Sequence, residues 1–502
     1  MRLSFFASNW LALVGLSMII VAGDSSAQQT RRPQVASTET TVTAVQNTAS
    51  LKSINHIIFM LQENNSFDHY FGALRTYWAA NGYPEQSFDG LPQFNSPPGP
   101  APKNRTCDPA FTAWCKIDSQ SPTIASFHYV TQCLETPTPF WNESHRDLNI
   151  AQPTSGVAKL DGFVYTAARW ARARKFYDMK GMRAMGYYDG SDLNYYYFMA
   201  SSFATSDRWF APVMARTPPN RMYLLAGTSH GHAYPLNYSG SSQLSVTTIF
   251  QLLQNNGISW KIYVHPGPSG KTDAASLMSI SYMNQFIFGN VIVQKYPQNI
   301  VPASQYFTDV SNGTLPQVAL IEPPSDAGLD EHPSDTDTKY PPNIQMGAQY
   351  VASIINALMK SSSWTSSAFI LTYDEFGGFY DHVPPHPTVS PDGIPPSDLK
   401  SGDICYNTPS RPTCDFTYTG YRVPLIVISP FTKKHYVSHT PADYSAILKL
   451  IETRFGLPSL SKRDAAQMDM TEFFDFVNVP WWTPPTPPPQ LTDGPCYLNQ
   501  LP

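Results

Sequence analysis

The sequence predicts an α/β protein with a mostly parallel central sheet covered by helices on both faces. Short apolar runs with β-branched content recur at 57–61, 260–264, 318–322, 367–373 and 422–429. Such runs, lacking a polar alternation, suit strands buried on both faces. Segments with helical apolar spacing separate them, as at 192–202, 344–359 and 443–455, and this alternation is the mark of a parallel sheet with covering helices. Reactive side chains follow directly on several of the strands, where open α/β sheets place ligands.

Composition bounds the setting. A hydrophobic content of 42% supports a substantial core, while only 14% charged residues and 46 prolines suggest a loop-rich extracellular protein. The net charge of −5 gives no support for nucleic-acid binding. Residues 1–27 read as a secretory signal: Arg2, an apolar run at 10–22 too short to span a membrane comfortably, then Ser25-Ser26-Ala27 as a small-residue cleavage site. No later segment is long and apolar enough to be a transmembrane helix, so a secreted protein is expected. Residues 28–50 read as a flexible leader, 51–479 as one domain with loop insertions, and 480–502 as a Pro-rich C-terminal tail. The six cysteines allow 15 connectivities. The close pairs Cys107/Cys115 and Cys405/Cys414 would staple local loops, leaving Cys133 for Cys496. Glycosylation sequons occur at Asn104, Asn142, Asn237 and Asn312, and formally at Asn64.

The first strand is followed by Gln62, Glu63, Asn64, Asn65, Ser66 and Asp68, a set of hard oxygen donors; Asn65 or Ser66 could equally cap a helix. Residues 85–126 read as a long stapled loop, and helical spacing begins at Asp161. His128 and His145 precede that helix, and an isolated histidine is more often a packing or surface residue than a catalytic one. Asp192 is placed as the cap of the helix at 192–202, with Tyr195–Tyr197 as packing. In Arg216-Thr217-Pro218-Pro219-Asn220-Arg221 the prolines should hold Thr217 at a stiff turn, with Asn220 and Arg221 opening the next helix. That helix N-terminus would face an anion bound at Thr217. Gly257 stops a helix before the strand at 260–264, which His265 ends. After the strand at 318–322 comes an acidic loop containing His332. The strand at 367–373 runs straight into Asp374 and Glu375, charges that are costly beside a buried strand unless paired or bound to a cation. Gly377-Gly378 would then turn these acids toward a metal, and Gly456 ends the last helix.

Three blocks carry a resemblance. ENNSFDHYFG (63–72) resembles the ENRSFDHYFG signature of the acid phosphatase/phospholipase C family, a branch of the alkaline phosphatase superfamily, with Asn65 where that family usually has Arg. TPPN-R at 217–221 is similar to its nucleophile segment, and TYDEFGGFYDHVPP (372–385) to its acidic block, with Phe376 where relatives often have a polar residue. The matching blocks run in one order from about 54 to 464, which implies one alkaline-phosphatase-like catalytic domain. The resemblance implies Thr217 as the nucleophile on phosphorus, Asn64, His145 and His332 on the phosphate oxygens, and Glu63, Asn64, Thr217, Asp374 and Glu375 as holders of a divalent metal ion. The oxygen-rich set favours Mg²⁺, Ca²⁺ or Mn²⁺. The implied substrate is a phosphate ester, either a small monoester or a phospholipid headgroup diester. Nothing after 480 could build the β-rich C-terminal domains of some bacterial phospholipases C, which leans toward an acid phosphatase. The rival of another class is a secreted binding protein on a catalytically degenerate enzyme fold. A sulfatase is disfavoured, since the nucleophile block holds no cysteine.

Overall fold

The computed structural model describes residues 50–108, 114–240, 242–335 and 341–501. The expected signal peptide and all but the last residue of the leader lie outside the described residues. The described chain is built on an eight-stranded sheet. Its strands are β1 (His56–Gln62), β2 (Ala204–Ser206), β3 (Trp260–Val264), β4 (Ile300–Pro302), β5 (Val318–Ile321), β6 (Ser367–Tyr373), β7 (Leu425–Ile428) and β8 (Tyr436–Ser438). Their spatial order is β8-β2-β7-β6-β1-β5-β3-β4. β1 lies between β6 and β5 and is parallel to both, with Ile57 opposite Ala368 and Val318. β5 continues in parallel to β3, and β3 to β4. β7 alone runs against the others, antiparallel to β6 and β2.

The apolar runs became strands because both faces are covered. Every residue of β1 from Ile57 to Gln62 is buried, and so is all of β6. Helix α1 (Phe67–Phe71) follows β1 and is capped by Ser66, whose hydroxyl accepts from the His69 amide. Helix α2 (Asn194–Ser202) starts two residues later than its sequence suggests. Asp192 is drawn off as a cap because its carboxylate accepts from Gln132 and pairs with His128. Helix α3 (Thr217–Ala226) starts three residues earlier than expected, at Thr217 itself. Its two prolines fall in the first turn, where a backbone N–H has no intrahelical partner to lose. Helix α4 (Ile344–Met359) packs Val351, Ile354, Ile355 and Leu358 into the core, and α5 (Ala446–Phe455) ends at Gly456 in the left-handed conformation.

Disulfides join Cys107 to Cys115, Cys405 to Cys414, and Cys133 to Cys496, the last tying the C-terminal segment to the domain across 363 residues of chain. Of the sequons, Asn237 and Asn312 are exposed, whereas Asn64 and Asn104 are buried.

A buried ion network locks α1 to the β6–β7 connection. Arg422 donates to Asp381 at 2.9 Å and to Asp68 at 3.0 Å, and to the carbonyls of Asp89 and Asp207. His382 is clamped between Asp68 (2.7 Å) and Asp89 (3.1 Å). Burial alone would lower the His382 pKa, but these two carboxylates push it up to about 9. A histidine with a raised folded pKa stabilises fully below its unfolded value of about 6.5 and loses that contribution as pH rises through 9. The difference is worth at most roughly 3 kcal/mol. Urea unfolding at pH 6 and pH 9.5 should show stability falling at the higher pH, and His382→Gln should flatten that fall. An unchanged slope in the variant would refute this account.

Candidate active site

Because β1, β3, β5 and β6 run in one direction, their C-terminal ends deliver Glu63, His265, Glu322 and Asp374 to one edge of the sheet. Glu63 leaves β1, and Asn64 then turns through the left-handed region (φ 61°). The Asn64 amide donates to Asp374 Oδ1 at 2.9 Å, joining the ends of the two central strands. Gly377 allows this approach: a Cβ there would lie 2.0 Å from the Asn64 carbonyl oxygen.

Thr217 reaches the same point from the first residue of α3. Its hydroxyl lies 3.1 Å from Glu63 Oε2 and 3.2 Å from Asn64 Oδ1, either of which can accept its hydrogen. The approach to Thr217 is pinned by Asn220, whose side chain donates to the carbonyl of Ala215 and accepts from the amide of Val213. One turn into α3, Arg221 donates to Glu63 Oε1 at 2.8 Å and to the Leu61 carbonyl. Tyr282 donates to the same Glu63 oxygen at 2.8 Å, and the Arg221 guanidinium sits 4.6 Å from its ring centre. His332 completes the group, with Nε2 2.9 Å from the Asn64 side-chain amide.

The electrostatics are those of a site short of positive charge. Burial pushes Glu63 up, but Arg221, His332 and the Tyr282 hydroxyl hold its carboxyl below the usual range. Asp374 is pushed up to about 8 by burial and by the neighbouring Glu63 charge. Burial and Asp374 together raise Glu375 well above a normal glutamate. Asp374 Oδ2 and Glu375 Oε1 are buried with no hydrogen-bond partner. Asp374, with the Thr217 hydroxyl against it, joins Glu63 and Asn64 Oδ1 in a set of oxygen donors of the kind that suits a hard divalent cation, with Glu375 next in the chain.

The Phosphoesterase family pattern matches residues 54–458, so the whole cluster falls inside the match. The chain belongs to this family. It is 30% identical over 484 residues to phospholipase C B of Mycobacterium tuberculosis (strain ATCC 25618 / H37Rv), covering 90% of this chain and 82% of that protein. It is also 30% identical over 437 residues to non-specific phospholipase C4 of Arabidopsis thaliana, covering 82% of this chain and 70% of that one. Non-hemolytic phospholipase C of Burkholderia pseudomallei matches at 26% over 510 residues, with 93% of this chain and 66% of that one covered. The protein is a phosphoric ester hydrolase.

The structure of this phosphoesterase gathers Glu63, Asn64, Thr217, His332 and Asp374 into one hydrogen-bonded group, with Glu375 adjoining. His145 does not join them, which corrects its expected place on the phosphate. Both of its ring nitrogens are taken by carbonyl oxygens, Trp141 at 2.7 Å and Thr413 at 2.8 Å, in a fully buried setting. His128 pairs with Asp192, and His439 with Asp207. One contributor escapes a reading of the sequence, and another is read there for a different role. Tyr282 stands 219 residues from Glu63 with no pattern around it. Arg221 is visible in the 217–221 block, but its charge serves Glu63 rather than only opening a helix.

Thr217, Glu63, Arg216, Asp330 and His332 line a cavity of about 380 Å³. A second cavity of about 580 Å³ shares Pro218, Tyr282 and Ser325 with it and continues past His265 and Glu322. If the orphaned carboxylates hold a cation, Mg²⁺, Ca²⁺ or Mn²⁺ should raise the melting temperature of the EDTA-treated protein by several degrees, and Asp374→Asn should remove most of that rise. Equal metal-dependent shifts in wild type and variant would place the cation elsewhere.

Proposed function

We propose that this phosphoesterase is a secreted, metal-assisted phospholipase C-type enzyme with Thr217 as its nucleophile. The observation that carries the reading is the Thr217 hydroxyl at the start of α3, held against Glu63 and Asn64 and beside the Asp374 carboxylate. Hydrogen bonding of the Thr217 hydrogen to Glu63 Oε2 or Asn64 Oδ1 leaves the oxygen lone pairs free for phosphorus. A divalent ion held by Glu63, Asp374 and Glu375 would lower the hydroxyl pKa and screen the phosphate charge. The α3 N-terminus favours an anion at this point. His332 and the Asn64 amide are close enough to Thr217 to hold phosphate oxygens as charge builds on them. Arg216, lining the cavity with its guanidinium 4.6 Å from the Phe140 ring centre, supplies a positive charge there.

Attack by Thr217 Oγ1 forms the new P–O bond as the ester P–O bond breaks and the alcohol leaves with a proton. Water then cleaves the phospho-threonine and restores the hydroxyl. The relatives named as phospholipases C favour a phosphodiester substrate over a small monoester, and the adjoining cavity gives room for its organic part. The three disulfides are compatible with secretion, since such bonds persist in oxidising compartments.

Hydrolysis of p-nitrophenyl phosphocholine and p-nitrophenyl phosphate, with wild type beside Thr217→Ala, tests the reading. The diester should be turned over with the higher kcat/KM, and the variant should lose roughly 10³-fold or more on it. Full activity in Thr217→Ala would sink the nucleophile, and preference for the monoester would return the protein to the phosphatase class.

A further inference from the structure

We propose that Glu331 is a positioning residue for this site: its buried carboxylate, by accepting four hydrogen bonds, fixes the turn that carries His332 to Asn64. The inference rests on the reading that His332 acts on the bound phosphate.

Glu331 is 1% exposed and lies next to His332 in the chain. Its Oε2 accepts from Tyr373 at 2.6 Å and Tyr70 at 2.9 Å, and its Oε1 from Tyr196 at 2.5 Å and Gln62 at 3.1 Å. These donors come from the end of β1, from α1, from α2 and from the end of β6, so one carboxylate ties together four elements around the site. Three phenol hydroxyls on one carboxylate are more than burial of a stray acid requires. Packing reinforces the knot, because a Cβ at Gly347 of α4 would lie 2.3 Å from Glu331 Cγ.

The backbone shows what the knot does. Glu331 adopts the left-handed conformation (φ 67°), which a glutamate takes only when its surroundings over-determine it. On one side of that turn the Asp330 carbonyl accepts from the Glu63 amide at 2.9 Å. On the other side His332 reaches Asn64 at 2.9 Å. Asn65 closes the circuit, donating to the carbonyls of Glu63 (2.8 Å) and Glu331 (3.4 Å). Release of the carboxylate should let the turn relax and draw His332 away from Asn64. Glu331 itself does not line the cavity and touches no reacting atom.

Imidazole ¹H–¹⁵N spectra, with His332 assigned by His332→Gln, read the position of His332 without any turnover. Glu331→Gln should displace the His332 signals while leaving those of His145, which is held by the Trp141 and Thr413 carbonyls, in place. It should also lower kcat/KM for p-nitrophenyl phosphocholine by about 10- to 10²-fold. The double variant Glu331→Gln/His332→Gln should lose no more than His332→Gln alone. Tyr196→Phe, which keeps the charge and removes one donor, should move the same signals less. It carries the test if Glu331→Gln does not fold. Unmoved His332 signals in a folded variant, or fully additive losses, would overturn the positioning role alone. A fully active His332→Gln would overturn it together with the assignment of His332 to the phosphate.

Discussion

The parallel pairing of β1 with β6 is the constraint on which the site depends. Seven residue pairs in register, from His56 opposite Ser367 to Gln62 opposite Tyr373, end both strands at the same height. The next residues, Glu63 and Asn64 on one side and Asp374 and Glu375 on the other, therefore emerge side by side although 310 positions separate Asn64 from Asp374. The Asn64 amide bond to Asp374 seals that join. A slip of one residue would swap the sides on which the β1 side chains pack and separate the acids. The register places the chemistry.

The site then carries an imbalance that the fold only partly relieves. Glu63 is answered by Arg221 and Tyr282, whereas Asp374 and Glu375 each keep a buried oxygen without a partner. Leaving charge buried and unpaired costs several kcal/mol per ion, and a cation of the kind proposed above would offset that cost. The contrast with the second buried network is instructive. There Arg422 and His382 answer Asp68, Asp89 and Asp381 bond for bond, and the result is a structural lock.

Much of the architecture was legible in the sequence. Strands at 260–264 and 367–373 and the helix at 344–359 appear where apolar runs and helical spacing place them, because burial on both faces leaves an unambiguous pattern. The antiparallel direction of β7 was not legible, since an apolar run reads the same either way. Helix α3 began earlier than its prolines suggested, because a proline in the first turn costs no hydrogen bond. His145 shows the limit of reading single residues: the resemblance implies a place on the phosphate, yet its ring is held between two backbone carbonyls.

By itself the sequence determined the α/β class, the order of the strands along the chain, and the identities of the threonine, the acids and the histidine, since these are local patterns of apolarity and of motif. Only the tertiary structure decided which of them meet. Tyr282 on Glu63, and the three tyrosines on Glu331, are contacts between residues 42 to 261 positions apart that leave no local trace. The physical reason is that a hydrogen bond to a buried carboxylate is specified by where the backbone brings the donor, and strand order in the folded sheet sets that.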